Sequence, residues 1–161
     1  MTDLHNFDPG RESEPGMLAA QARLLVEGIS DAVANAANLS SLLFHSLDHV
    51  NWAGFYFLKG DELIVGPFQG KPACVVIPVG KGVCGAAAAR REVQRVADVH
   101  EFEGHIACDL ASRSEIVIPL LRDGELIGVL DIDSPVRNRF SEQDEALLKE
   151  IADIYVHSLN S

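Results

Sequence analysis

The chain has no long hydrophobic run, few basic residues, and no cysteine outside residues 74–108. No apolar stretch approaches the roughly 20 residues that a transmembrane helix requires, which argues against a membrane protein. There are 13 lysine and arginine residues and 24 aspartate and glutamate residues, so the net charge is −11. This negative charge makes nucleic acid and anionic membrane surfaces unfavourable partners.

The N-terminus has neither a basic start nor an apolar block, so the sequence predicts no secretion signal and a cytoplasmic location. Residues 1–16 contain two prolines, two glycines and several acidic residues, and we predict a flexible N-terminal tail there. The remaining residues, 17–161, are enough for a single domain with a core of its own.

The three cysteines are Cys74, Cys84 and Cys108, and their neighbours are polar or glycine-rich. An odd number in one segment does not fit a structural disulfide framework. Three clustered thiols instead fit a redox catalyst, in which one thiol attacks and the others resolve the product. Two alternatives stay open: three small core residues, and a Cys₃His zinc site with His105, although no pair has C-x-x-C spacing.

Periodicity and turn signals place helices at both ends of a run of strands. This order favours an α+β fold with a mostly antiparallel sheet. Ser30 and Ser141 are predicted to cap the second and the last helix. The predicted helices cover 17–27, 31–47, 86–91 and a segment beginning at 141, and the predicted strands cover 51–58, 63–65, 74–79, 115–121 and 125–133.

Trp52, Gly54 and Tyr56 alternate along the first predicted strand and therefore share one of its faces. They form either an aromatic wall beside a binding site or one side of a strand that is buried on both faces. Residues 80–85 read G-x-G-x-x-G, but they lie in the middle of the chain, away from any first βαβ unit. We therefore expect an anion-binding or tight turn there, not a nucleotide site, and a lowered pKa for Cys84 at the helix start.

Asp131 and Asp133 also alternate, on a strand that is otherwise apolar. Buried carboxylates are costly unless they are paired or used, so these two residues are candidates for a binding site or a metal site. An exposed strand end would also explain them. Glu115 begins the partner strand, and the register of the hairpin decides whether it joins them.

Two registers are compatible with the hairpin sequence. With a two-residue loop over 123–124, Leu121 pairs with Leu126, and Glu115 lies on the face away from the aspartates. With a three-residue loop over 122–124 and a left-handed Gly124, Leu121 pairs with Glu125, and Glu115 joins the aspartates on one face.

Taken together, these segments closely resemble the free methionine-(R)-sulfoxide reductases, a family with a GAF-type fold. The similarity runs from about residue 30 to the last helix, and ordinary GAF domains lack the three cysteines and the set of acids. The segments that carry it are 51–56 (NWAGFY), 66–71 (GPFQGK), 82–85 (GVCG), 104–109 (GHIACD), 114–117 (SEIV) and 128–134 (GVLDIDS).

The resemblance implies reduction of the free amino acid's R-sulfoxide, with thioredoxin as the electron donor and no metal or organic cofactor. Cys108 would be the attacking thiol, and Cys84 and Cys74 would be the resolving thiols. Trp52 and Tyr56 would hold the methyl sulfoxide end of the substrate. A homodimer is compatible with this interpretation, and the alternative function is a non-catalytic GAF module that senses a small ligand.

The resemblance further implies that Glu115, Asp131 and Asp133 bind the substrate amino group and polarise the sulfoxide. These roles require the three acids on one face. We therefore predict the three-residue loop, with Gly124 at positive φ and Glu115 across from Asp131.

Overall fold

The computed structural model describes residues 15–104 and 111–160. Within these residues the chain forms four α-helices, six strands and one short 3₁₀ helix. None of the helices in the described ranges is long and apolar enough to cross a membrane. The elements in chain order are α1 Pro15–Val26, α2 Ala32–Ser46, β1 Trp52–Lys59, β2 Glu62–Gly70, β3 Val76–Pro78, α3 Gly82–Arg90, β4 Gln94–Val96, the 3₁₀ helix Val99–Glu101, β5 Ser114–Arg122, β6 Glu125–Ser134 and α4 Glu142–Ser158.

The strands form one six-stranded sheet in the order β3-β2-β1-β6-β5-β4, and every neighbouring pair is antiparallel. The predicted α+β class with an antiparallel sheet is therefore confirmed. The prediction missed β4. It also ended β2 too early: β2 continues to Gly70, and its second half contains two glycines and a proline, which are unusual in a strand. The antiparallel sheet also excludes the dinucleotide fold that the G-x-G-x-x-G pattern would need.

The two faces of the sheet carry separate apolar cores. Helices α1, α2 and α4 cover one face, where Phe55 of β1 packs with Tyr155 of α4. Helix α3 covers the other face, where Trp52 and Tyr56 of β1 pack with Val83 and Cys84. The alternation predicted for β1 is confirmed, and both of its faces are buried.

The ends of the helices differ in detail from the sequence-based expectation. Asp31, not Ser30, caps α2, with its Oδ1 accepting a hydrogen bond from the amide of Ala34 at 2.8 Å. Ser141 caps α4 as predicted and forms a capping box with Asp144. The predicted tail over residues 1–16 lies outside the described residues, except for its last two, which begin α1.

The predicted three-residue loop between β5 and β6 is wrong. Leu121 pairs with Leu126, so the loop has two residues, and Asp123 and Gly124 both have positive φ (52° and 80°), as a type I′ turn requires. A bulge then shifts the register, because Leu120 pairs with Gly128 and one residue of β6 has no partner.

The bulge brings Glu115 back to the predicted face by a different route. After the shift, Glu115 pairs with Asp133, and Val117 pairs with Asp131. Glu115 was predicted to lie opposite Asp131, and the structure corrects its partner to Asp133. The prediction that all three acids share one face is confirmed. The reason is geometric, since a shift of one residue exchanges the two faces of a strand.

Gly124→Ala is expected to lower the free energy of unfolding by about 1 kcal/mol. Nothing lies within 4 Å of a Cβ placed there, so the cost comes from the positive φ alone. Urea denaturation would measure it as a lower midpoint with an unchanged m-value. Asp123→Asn is the matched control, because asparagine tolerates the left-handed conformation. Equal stability of Gly124→Ala and the wild-type chain would contradict the turn geometry.

Candidate active site

A small cavity lies between α3 and the sheet, with a volume of about 50 Å³. The cavity is lined by the site residues predicted from the sequence. The exceptions are Cys74, which does not line it, and Cys108, which lies outside the described residues. The lining residues are Trp52, Tyr56, Pro72, Ala73, Ile77, Lys81, Gly82, Val83, Cys84, Ser112, Glu115, Asp131 and Asp133.

An aromatic stack forms one wall of the cavity. The ring of Trp52 stacks on Tyr56 with centroids 5.8 Å apart and on Phe68 with centroids 5.1 Å apart. Gly54 lies between Trp52 and Tyr56 on β1 and pairs with Phe68 of β2. Phe68 was not predicted to join this wall. It stands in the glycine-rich segment 66–71 that carried the family resemblance, and that segment gave no strand signal.

Gly54 is essential to this wall because no side chain fits at its position. A Cβ there would lie 2.3 Å from Cβ of Phe68 and 2.8 Å from Cη2 of Trp52. We expect Gly54→Ala to force β2 away from β1 and to cost about 1–3 kcal/mol of stability. The fluorescence of Trp52, the only tryptophan in the chain, should change with it.

Gly16→Ala is the control for that measurement. Its site on α1 has nothing within 4 Å of the added Cβ, and alanine favours a helix, so stability should stay equal or rise slightly. If Gly54→Ala unfolded at the same urea concentration as the wild-type chain and kept its fluorescence, the tight packing of the wall would be refuted.

Two hydrogen bonds from the wall hold the chain segment between β2 and β3. Trp52 donates its Nε1–H to the carbonyl of Lys71 (3.2 Å), and Tyr56 donates its hydroxyl to the carbonyl of Cys74 (3.0 Å). Cys74 is disulfide-bonded, and Cys84 is a free thiol. Cys108 and His105 lie outside the described residues, so the predictions that involve them remain predictions.

Three acidic side chains lie beside the aromatic stack, on the same face of the sheet. On β6, Asp131 pairs with Gly54 and Asp133 pairs with Trp52, so both aspartates share the face of the aromatic stack. Glu115 joins them from β5. Glu115 and Asp131 are buried, with exposed fractions of 7% and 5%.

Burial is the largest cause of the pKa shifts in this cluster. It raises the pKa of Glu115 well above its ordinary range, and the negative charge of Asp131 raises it further. Burial and the charge of Asp133 raise the pKa of Asp131 to about 8. At neutral pH Asp131 therefore retains a proton that an exposed carboxylate would have lost.

The thiol of Cys84 completes the cluster. Cys84 is in the first turn of α3, and its Sγ lies 3.9 Å from Oε2 of Glu115. The prediction that the helix start lowers the pKa of Cys84 is wrong. Burial raises the pKa of Cys84 well above its ordinary value, and the charges of Asp131 and Glu115 raise it further, overriding the helix dipole.

Folding stability should fall as pH rises from about 4 to 8. The folded chain holds a proton on Asp131 up to about pH 8, whereas the unfolded chain releases it near the ordinary value of 3.8, so ionisation favours the unfolded state. Between pH 5 and pH 8 the unfolding free energy of the wild-type chain should fall by about 1–4 kcal/mol more than that of Asp131→Asn, which has no carboxyl group to ionise. Urea denaturation of both proteins at pH 5 and pH 8 would test it. Parallel pH profiles would show that Asp131 titrates normally.

Helix α3 begins at the cavity and brings backbone amides to it. Lys81 precedes the helix, and both Lys81 and Gly82 line the cavity. The first amides of a helix lack carbonyl partners within it, so this end favours an anion. Gly85 allows the close packing of the turn, because a Cβ there would lie 2.7 Å from the carbonyl oxygen of Pro78.

Comparison with known proteins places this chain in a family. Residues 18–157 match the model of the GAF domain. A free methionine-R-sulfoxide reductase of Escherichia coli is 58% identical over 127 residues, covering 79% of this chain and 77% of that protein. One from Saccharomyces cerevisiae is 46% identical, covering 82% and 80%. A structure of the free methionine-R-sulfoxide reductase from Neisseria meningitidis in complex with its substrate has a TM-score of 0.89 at 40% identity, covering 99% and 96%.

Proposed function

Because the chain belongs to the GAF-domain family of free methionine-R-sulfoxide reductases, we propose that it reduces free L-methionine-(R)-sulfoxide to methionine. The observation that carries the proposal is one cavity that combines an aromatic wall, three carboxyl groups and a buried thiol. The names of the E. coli and yeast relatives support the reaction. The substrate complex of the neisserial relative supports the ligand.

The substrate is proposed to lie with its methyl sulfoxide end against Trp52 and Tyr56. A flat aromatic surface suits a methyl group bonded to sulfur. The ammonium group would bind to the acids on β5 and β6, which carry the opposite charge. The carboxylate would bind at the start of α3, close to Lys81 and the helix amides.

A protonated carboxyl group in the cluster would assist the chemical step. A thiol attacks the sulfoxide sulfur only if the sulfoxide oxygen receives a proton or a strong hydrogen bond. The raised pKa of Asp131, at about 8, keeps such a donor available near neutrality. A second acid in ionised form would still attract the substrate ammonium.

The reaction is proposed to proceed through cysteine sulfenic acid. The thiol of Cys108 attacks the sulfur, the oxygen passes to Cys108, and methionine leaves with its sulfur reduced. A second thiol then condenses with the sulfenic acid, which releases water and forms a disulfide. Thioredoxin reduces this disulfide by thiol–disulfide exchange and becomes oxidised in turn.

Cys84 and Cys74 are proposed as the resolving thiols. The position of Cys84 in the cavity wall supports a role close to the substrate, and the disulfide at Cys74 supports a role in passing electrons onward. Single-turnover measurements on Cys84→Ser and Cys108→Ser would establish which of the two thiols attacks first. The cycle needs no metal or organic cofactor, and cytoplasmic thioredoxin would supply the electrons.

A thioredoxin-coupled assay tests the proposal. Purified protein with thioredoxin, thioredoxin reductase and NADPH should consume NADPH when free methionine-(R)-sulfoxide is added, and it should form methionine in equal amount. The S-sulfoxide is the matched control, because its oxygen would point away from the proton donor. If neither epimer is reduced and no thiol is lost, the chain would be a ligand-sensing GAF module instead.

A further inference from the structure

The donor atoms of Cys84, Glu115 and Asp131 are arranged closely enough to hold a metal ion. The Sγ of Cys84 and one carboxylate oxygen from each acid all lie within 4.8 Å of one another, and all three residues are buried. The Sγ of Cys84 lies 3.9 Å from Oε2 of Glu115. Ligands around a tetrahedral zinc ion lie about 3.5 Å apart, so small side-chain movements would close the site.

A second observation points to a missing cation. Oδ1 of Asp131 is buried, lies in the cavity wall and accepts no hydrogen bond. A buried carboxyl oxygen without a hydrogen-bond partner is costly, and a cation that displaces the carboxyl proton and coordinates this oxygen would remove that cost. The ion pairs among the described residues engage other acids, namely Asp98, Glu101, Asp144, Glu145 and Glu150.

We propose that a thiophilic divalent cation of the zinc class binds to Cys84, Glu115 and Asp131 and reversibly inhibits the enzyme. Inhibition rests on the proposed function, because the ion would occupy the thiol and the acids that the reduction uses. Binding of the ion rests only on the geometry of the cluster. The two claims can therefore fail separately.

The donor set selects the type of ion. One thiolate and two carboxylates with an open fourth position suit Zn²⁺ or Cd²⁺. Mg²⁺ and Ca²⁺ require six or more oxygen ligands, which a buried cavity of about 50 Å³ does not provide. The product methionine would compete with the ion, because its ammonium group is proposed to bind to the same acids.

Calorimetric titration of the reduced protein with Zn²⁺ and Cd²⁺ is the first test. Because the other two thiols could also bind these ions, the decisive protein carries Cys74→Ser and Cys108→Ser, which leaves Cys84 as the only cysteine. Circular dichroism would establish that it is folded. We expect binding of one ion, a thiolate-to-cadmium absorption band, no heat with Mg²⁺, and weaker binding when methionine is present.

Variants of the ligands decide the location of the ion. Replacing Cys84 by serine or Asp131 by asparagine in that protein should weaken binding by more than about 100-fold. Asp98→Asn is the matched control, because Asp98 is equally buried but already paired with Arg113 and Arg137. Absence of binding, or affinity that survives the loss of Cys84, would overturn the proposal.

The wild-type enzyme tests inhibition separately. Zn²⁺ should lower methionine formation with an inhibition constant equal to its dissociation constant, and a chelator should restore the activity fully. Activity unaffected by Zn²⁺ at saturating occupancy would overturn the inhibitory role. If the chain reduced no sulfoxide at all, the calorimetric result would still decide whether the ion binds.

Discussion

Methionine sulfoxide with an acetylated amino group and an amidated carboxyl group is expected to react with a kcat/KM lower by about 10⁴-fold than that of the free amino acid. Glu115 and Asp131 are buried, and the free ammonium would be their partner in the proposed complex. The blocked compound has no charge at either end. A site built around polar contacts discriminates by about this factor when they are left unmade.

Singly blocked compounds separate the two ends of the site. N-acetylation should remove most of the activity, because it leaves the acid cluster without a cation. Amidation alone should cost less, since the start of α3 is more open, with Lys81 exposed. Rates would be measured as methionine formed, with dithiothreitol in place of thioredoxin to keep recycling constant. Comparable turnover of the doubly blocked compound would refute recognition of the free amino acid.

Cys108→Ser is expected to abolish turnover, including the first methionine that is released without any reductant. A serine hydroxyl cannot take the oxygen from the sulfoxide and form a sulfenic acid, so no step of the cycle remains. The measurement is a single-turnover experiment with excess enzyme and no thioredoxin. The wild-type chain should release one methionine per protein.

Cys84→Ser and Cys74→Ser are the matched comparisons. Both should release the first methionine, and both should recycle poorly with thioredoxin, because each lacks a resolving thiol. If Cys84→Ser lost the single turnover and Cys108→Ser kept it, the two roles would have to be exchanged. The raised pKa of Cys84 favours the proposed assignment, since a thiol that stays protonated is a poor nucleophile.

Local patterns predicted those parts of the molecule that depend on neighbours in sequence. The alternation in β1 placed Trp52 and Tyr56 on one face and Phe55 on the other, and the structure has this arrangement. The start of α4 could be predicted from Ser141, because a helix cap binds backbone amides within the first turn. β4 was missed because three residues carry too little pattern to identify a strand.

The register of the hairpin between β5 and β6 could not be predicted from local sequence patterns. The Asp123–Gly124 turn was recognisable, but the bulge that follows depends on how β6 packs on its neighbours. Gly128 was the available signal, since a glycine inside a strand often marks a bulge or a close backbone approach. A Cβ at this position would lie 2.2 Å from the carbonyl oxygen of Tyr56 on the adjacent strand.

The sequence by itself determined the α+β class, the antiparallel sheet and the family, and it singled out six of the residues that line the cavity, namely Trp52, Tyr56, Cys84, Glu115, Asp131 and Asp133. Only the tertiary structure decided that Glu115 pairs with Asp133 and that the pKa of Cys84 is raised. The reason is that Cys84, on α3, meets the acids of β5 and β6 only after folding. Burial and the charges of residues 31 or more positions away then dominate over the local helix dipole.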